Sequence, residues 1–514
     1  MDSIPPMPNL PTLLSSLFLL LVTYFLTAAI YNRFFHPLAS IPGPFLASIS
    51  ELYRFHHNFI RRGSLYTQFD ALRATYGPVV RIAPNEVLLY DPSHYDTLYS
   101  AHTKYYKDPS FYPLTGTGSV FTIIPNNAHR KQRAVINPFF SRRAALDQED
   151  LVQEKATKLC DRIERDSARG LLTDIGMGFR ALSVDVATAY CYGVEACYNS
   201  LDAEDFGKWY NELITQIAPM MYVLKLLPFL KRPLQGMPHW LARRINPLVT
   251  GLQTLMIEAH RQVERIVKEI EGGVVPERET IFHTILNPQA GEGDYKVPPM
   301  QQVVDEAWGI TGAAVETTGN TLSVIAWRVL SDGEVHRKLR EELVRAFPEG
   351  ERMDYLALEK LPYLTGVVKE GMRLSYGVIY PLPRVVPAPG ATFDGHFLPR
   401  GSVVSMSSWG MHRDPAMFPN PDVFDPERWL DPAEARHRDS FLVTFSRGRR
   451  ACIGQSLAML ELYVTIAQLF RRFGDLEAPD VSEEDFVYED YFLAVHPAHA
   501  RKFRVRRKGK VEGS

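Results

Sequence analysis

From Leu10 to Tyr31 the chain carries no charged residue, and Leu17-Phe18-Leu19-Leu20-Leu21-Val22 stands at its centre. In hydrocarbon every backbone N–H and C=O must be paired within the segment. Such a stretch is therefore a helix, and about 20 residues suffice to cross a bilayer. Arg33 and His36 follow it while only Asp2 precedes it, which places the bulk of the chain on the cytosolic side. Tyr24, Tyr31, Phe34 and Phe35 suit the interfacial belt. The expectation is a short tail over 1–9 and a transmembrane anchor over 10–31. A cleaved signal peptide, helped by Thr27-Ala28-Ala29, is the alternative, but its basic n-region is missing; a buried core helix is a third. Pro37 and Ile41-Pro42-Gly43-Pro44 then predict a stiff, non-helical hinge over 32–44, because proline fixes φ and removes a donor.

Beyond the hinge, residues 45–514 show no repeat, low-complexity run or Ser/Gly linker, so one large body is expected. Hydrophobic residues make up 46% and charged residues 23%, a globular composition that excludes disorder and coiled coil. A net charge of −2 leaves no global field to hold nucleic acid. Val79-Val80-Arg81-Ile82 and Val87-Leu88-Leu89-Tyr90 read as short strands about a Pro-Asn turn, and the later patterning is mostly helical. The fold class is mainly α with small β-sheets. Gly116-Thr117-Gly118 lacks the context of a dinucleotide or phosphate loop. The basic run from Arg501 to Lys510 reads as a last strand and a solvated end, with anionic lipid as the minor option.

Of the four cysteines, Cys160, Cys191 and Cys197 read as inert core residues. Cys452 differs. It closes Phe445-Ser446-Arg447-Gly448-Arg449-Arg450-Ala451-Cys452-Ile453-Gly454, just ahead of a run of helix formers. Unpaired helix N–H groups together with Arg447, Arg449 and Arg450 are expected to favour a thiolate, the form that ligates metals. Gly448 and Gly454 would let backbone approach a flat ligand, and Phe445 would cover the sulfur.

This decapeptide resembles the haem-binding signature of the cytochrome P-450 family, F-x-x-G-x-R-x-C-x-G. The resemblance implies that Cys452 is the axial thiolate of haem b and that Arg450 pairs a haem propionate. Glu370-Gly371-Met372-Arg373 and Asp425-Pro426-Glu427-Arg428-Trp429 are similar to two further family elements, implying a buried Glu370/Arg373/Arg428 network of structural role. The other E-x-x-R copies, at Glu258, Glu334, Glu342 and Glu349, read as exposed pairs. Arg384 resembles the family's second propionate arginine. His129 and Arg133, at i and i+4, can both donate to one anion; the family more often has tryptophan at the first position.

Ala313-Ala314-Val315-Glu316-Thr317-Thr318 lies in an apolar helical run from about Val303 to Val329. Ala313 leaves room on one face, and the Thr317 hydroxyl can bond the Ala313 carbonyl. The string resembles the family's oxygen-activation motif, with Ala314 where glycine is commoner. It implies protons routed through Thr317 and Glu316, dioxygen as co-substrate, and electrons from a separate membrane-bound NADPH-cytochrome reductase. Arg130, Lys131, Arg142, Arg143, Arg447 and Arg449 are the candidate docking face. By analogy with the family, Phe111, Tyr112, Phe121, Ile123, Ile310, Ala313, Val378, Ile379, Phe492 and Leu493 line an apolar substrate pocket. The segment 218–230 either dips into lipid or joins the core.

The hinge region resembles filamentous-fungal members, including the trichodiene oxygenase-like group. That implies a single-pass protein of the endoplasmic reticulum that oxidises a terpenoid or polyketide intermediate. A reductase-independent isomerase or dehydratase on the same fold, and a non-catalytic haem sensor or carrier, are the alternatives.

Overall fold

The computed structural model describes residues 10–115, 118–217, 219–230, 233–234, 236–245, 247–274, 276, 278–287 and 295–508. The tail 1–9, Gly116 and Thr117, Ala218, and Gly509 onward lie outside these residues. The longer helices are α1 (Leu10–Ile30), α2 (Asn126–Ile136), α3 (Glu149–Ala168), α4 (Ile175–Tyr192), α5 (Lys208–Ile217), α6 (Pro247–Glu271), α7 (Met300–Ser331), α8 (Gly333–Ala346), α9 (Pro362–Ser375) and α10 (Gln455–Arg472).

Helix α1 stands away from the body with its leucines and phenylalanines exposed, as a segment solvated by lipid would. The helix does not stop at the expected boundary. It continues through a wider turn, Tyr31–Phe35, so irregular chain begins only at His36. That joint is bolted to the body. Buried Arg81 donates to the Pro84 carbonyl at 3.1 and 2.7 Å and to the Asn32 carbonyl at 3.0 Å, and the Asn32 amide donates to Ile49 O at 3.0 Å.

The body is organised on α7. It lies along α4, which is buried over nearly its whole length, and against α9 and α10. Close approach of α9 needs Gly371: a Cβ there would stand 2.0 Å from Ile325 Cγ1 on α7. One large apolar core joins these helices to α3 and α8. The principal sheet has five strands in the order β1 (Val79–Ala83), β2 (Glu86–Leu89), β8 (Val403–Ser405), β5 (Arg384–Val385) and β3 (Tyr106–Lys107). The two runs about the Pro-Asn turn pair antiparallel as β1 and β2, with Val80 opposite Leu88. β3 and β5 set Lys107 directly opposite Arg384. The remaining strands form small ribbons: β6 (Gly390–Phe393) with β7 (His396–Pro399), β10 (Glu489–Tyr491) with β11 (Leu493–Val495), and β4 (Thr173–Asp174) with β12 (Arg504–Arg507) and β9 (Leu476–Glu477).

Candidate active site

The loop before α10 is shaped by backbone. The Cys452 N–H donates to the Phe445 carbonyl at 2.8 Å and closes the turn. Gly448 takes φ +67, and a Cβ on it would lie 2.3 Å from the Tyr99 carbonyl oxygen. Its requirement comes from protein backbone rather than from a flat ligand, which corrects the sequence expectation. A Cβ on Gly454 would meet only the Cys452 Sγ, at 4.0 Å. Phe445 is half-buried beside the main core.

The three arginines do not surround the sulfur. Arg447 pairs with Asp96 at 2.8 Å, Arg449 donates to the Ala101 and Thr103 carbonyls, and Arg450 donates to Ile123 O and Ile124 O at 2.7 and 2.8 Å. Burial consequently pushes the Cys452 thiol pKa up, against the Gly454 N–H and the Arg133 guanidinium, which pull it down. The side chain is nevertheless accessible. A bound cation would stabilise its thiolate against that burial.

Beside it lies a set of positive groups. Arg133 on α2 donates to Ala451 O at 2.6 Å. Arg384 donates to the Tyr112 hydroxyl at 2.8 Å. Lys107, 5% exposed, sits 4.2 Å above the rings of both Tyr112 and Phe121. Among the described residues, no carboxylate forms an ion pair with Lys107, Arg133, Arg384 or Arg450. The adjacent Asp108 carboxylate accepts instead from the Ser110 N–H and hydroxyl, at 2.9 and 2.7 Å. Burial and the mutual repulsion of these cations hold Lys107 well below its ordinary range and bring Arg450 down to about 10. His129, buried between them, is held near 3, and its Nδ1 has no partner; Arg450 Nε is likewise buried and unpartnered. Buried charge without a counter-charge is costly, so this cluster is built for an anionic ligand. The two carboxylates of a haem would supply that charge, and the accessible thiol could ligate its iron.

Lys107 was not among the residues singled out in the sequence, where a lone lysine carries no signal; only the β3–β5 register places it against Arg384. Exchanging it for methionine is expected to raise the thermal stability of haem-free protein, because an uncompensated charge leaves the interior, and to speed haem loss from the loaded protein. The pH dependence has a definite sign. With its folded pKa depressed, Lys107 binds fewer protons folded than unfolded. Haem-free stability therefore rises with pH from the depressed value up to the ordinary lysine value, and Lys107→Met flattens that rise. Unchanged melting and unchanged haem transfer to apomyoglobin would remove Lys107 from the site.

Helix α7 presents a partly accessible stripe, Ile310, Ala313, Ala314 and Thr317, between buried flanks; these positions share one helical face. Thr317 Oγ1 donates to Ala313 O at 2.8 Å. Glu316 points elsewhere. It is 2% exposed, and both its oxygens accept from Arg180 on α4, one at 2.8 Å from Nε. The expected proton source is thus engaged as an ion pair, since successive residues of a helix face about 100° apart.

An aromatic wall adjoins the cations. Phe111 stacks on Tyr380 at 4.9 Å, Tyr112 meets Phe121 at 5.5 Å, and Phe121 meets Phe492 at 5.6 Å. Val378 bridges Leu493, and Ile123 is half-buried beside them. Ile379 does not belong to the wall: its side chain is fully buried with Leu65, Phe69 and Val80, because extended chain turns successive side chains to opposite faces.

Behind the loop, Glu370 and Arg373 are both fully buried and paired at 2.9 and 2.7 Å. Arg428 and the Trp429 indole also donate to Glu370, each at 3.0 Å. His412 was missed in the sequence. Its Nδ1 faces the Arg373 carbonyl at 3.0 Å and its Nε2 accepts from the Val443 N–H at 2.9 Å, tying the network to the irregular segment that enters the cysteine loop. Among the other E-x-x-R copies, Glu334 and Arg337 pair in solvent. Glu342 instead accepts from the Tyr363 and Leu364 N–H groups, capping α9. The proposed docking cations are partly engaged within the chain, Arg142 with Glu359 and Arg447 with Asp96.

Residues 45–501 match the family model described as Cytochrome P450. The chain is 34% identical over 476 residues to cytochrome P450 monooxygenase macH of Penicillium terrestre, covering 91% of this chain and 92% of that protein. It is 35% identical over 489 residues to cytochrome P450 monooxygenase TRI4 of Fusarium sporotrichioides, covering 93% and 91%. To conidiogenone synthase PchP450 of Penicillium rubens it is 33% identical over 480 residues, covering 93% and 95%. The chain belongs to the cytochrome P450 family. It is an oxidoreductase of the monooxygenase class, with haem as cofactor and dioxygen and NADPH-derived electrons as co-substrates.

Proposed function

We propose that this protein is a fungal haem-thiolate monooxygenase that hydroxylates or epoxidises a hydrophobic intermediate of secondary metabolism, of terpenoid or polyketide type. Cys452 is the axial ligand in this reading. Arg133, His129, Arg384, Arg450 and Lys107 hold the propionates, and Glu370, Arg373 and Arg428 form the scaffold. The observation that carries it is an accessible cysteine beside a partly buried set of cations that no carboxylate pairs among the described residues. The names of the relatives, two monooxygenases and a conidiogenone synthase, support the reaction class and the metabolic setting. Electrons arrive from a separate NADPH-cytochrome reductase. Helix α1, with Arg33 behind it, anchors the body on the cytosolic face of the endoplasmic reticulum.

When bound, the thiolate-ligated haem supplies oxygen activation, its thiolate donating electron density that favours O–O cleavage. The chain's own residues do the rest. Ala313 would leave room for the haem on the accessible face of α7, and the aromatic wall would exclude water and hold apolar substrate. The Thr317 hydroxyl, held by Ala313 O, receives and passes protons at Oγ1. Glu316 serves by fixing α7 to Arg180.

Metabolite profiling of a deletion strain, followed by turnover of the accumulated compound with reductase and NADPH, tests the proposal; no oxygenated product from any accumulated metabolite would refute it. Thr317→Ala is expected to keep NADPH consumption while diverting it, with product per NADPH falling about tenfold to a hundredfold and peroxide rising. Unchanged coupling would take Thr317 out of the proton path.

A further inference from the structure

The hairpin of β10 and β11 turns on a single residue. Tyr491 pairs with Leu493, and Phe492 between them takes φ +77, a region bulky side chains rarely occupy. The turn does not satisfy its own backbone. The Phe492 N–H donates to Asp490 Oδ1 at 3.0 Å, and the Phe492 carbonyl accepts from the Ile379 N–H at 3.2 Å. Asp490 is fully buried, its Oδ1 also accepts from the Tyr222 hydroxyl at 3.1 Å, and its Oδ2 has no partner. Tyr222 belongs to the short helix Met220–Leu226, far away in sequence. In this conformation the Phe492 ring meets Phe111 at 5.8 Å and Phe121 at 5.6 Å.

Strain held by several outside contacts is kept where it shapes a site. We propose that Asp490 is a positioning residue for substrate selection: with Tyr222 it clamps Phe492 in the left-handed turn that sets the depth of the aromatic wall, and so decides which part of an apolar ligand reaches the haem. The inference rests on reading that wall as the pocket. Burial brings the Asp490 carboxyl up to about 7, so a neutral amide is tolerated there. Because Oδ1 alone accepts both bonds, asparagine keeps the clamp and alanine removes it.

The test compares two azoles that ligate haem iron through the same nitrogen, imidazole, which is small, and 4-phenylimidazole, whose ring must fit the wall. In full-length, haem-loaded Asp490→Ala, 4-phenylimidazole is expected to bind about tenfold more weakly with imidazole unchanged, and Asp490→Asn is expected to restore the unmutated values. Unchanged 4-phenylimidazole affinity in Asp490→Ala, or equal loss of both azoles, overturns the inference. Should Asp490→Ala fail to load haem, Tyr222→Phe carries the test. A drop confined to 4-phenylimidazole supports the clamp, and no drop overturns it. Unmutated protein that binds both azoles alike would instead refute the wall as the pocket.

Discussion

Cys452→Ala is expected to abolish turnover entirely while leaving a protein that still takes up haem weakly. The two effects separate because the site has two independent holds on its cofactor. Among the described residues Lys107, Arg133, Arg384 and Arg450 form no ion pair with a carboxylate, and Cys452→Ala does not alter that, so carboxylates of a ligand can still neutralise them. In the proposed reading the Cys452 sulfur would ligate the haem iron and supply the electron density for oxygen activation. Burial opposes a free thiolate at this position, and a bound metal would favour the anion. Reduced protein under carbon monoxide should show the thiolate-type band in the unmutated chain and lose it in the variant. If the variant retains that band, another residue is the ligand and the assignment falls.

Arg373→Ala is expected to cost about 3–5 kcal/mol, a large share of the roughly 5–15 kcal/mol that holds a typical domain. The guanidinium donates to both Glu370 oxygens and to the His412, Pro421 and Val423 carbonyls. Its removal leaves the fully buried Glu370 carboxylate with one cation fewer and the buried His412 carbonyl without this donor. Denaturant unfolding of the haem-loaded variant, or its failure to accumulate, measures the effect. Replacing Glu370, Arg373 and Arg428 together by leucine and two methionines should be less damaging than Arg373→Ala alone, since no member of the buried network is then left charged. Arg337→Ala, at the same spacing but in solvent, should leave stability unchanged. Equal losses from Arg337→Ala and Arg373→Ala would show that burial does not set the value of this pair.

Much of the architecture was readable because its signals are local. The uncharged run of α1, the long apolar pattern of α7 and the β1–β2 hairpin each follow from periodicity and turn chemistry within one segment. So does the Thr317 bond to Ala313, an i to i−4 contact. The errors share one cause. Arg447, Arg449 and Arg450 were expected to face Cys452 because they are its neighbours in sequence, yet each reaches a partner more than 300 residues away. Glu316 was expected to act with Thr317 because it adjoins it, but helical geometry turns it toward Arg180. Ile379 was grouped with Val378, and strand alternation sends it to the other core.

By itself, then, the order of residues determined the apolar N-terminal helix, the cysteine ahead of α10, the E-x-x-R helix and the α7 stripe. These depend on spacing and composition, which folding does not alter. Tertiary structure alone decided which charges are compensated. It set Lys107 against Arg384 across two strands, spent Asp108 on Ser110, withdrew Glu316 into an ion pair and left the cations near Cys452 without a carboxylate partner among the described residues. A side chain's charge is written in the sequence, but its counter-charge and its distance from water exist only once remote segments have packed.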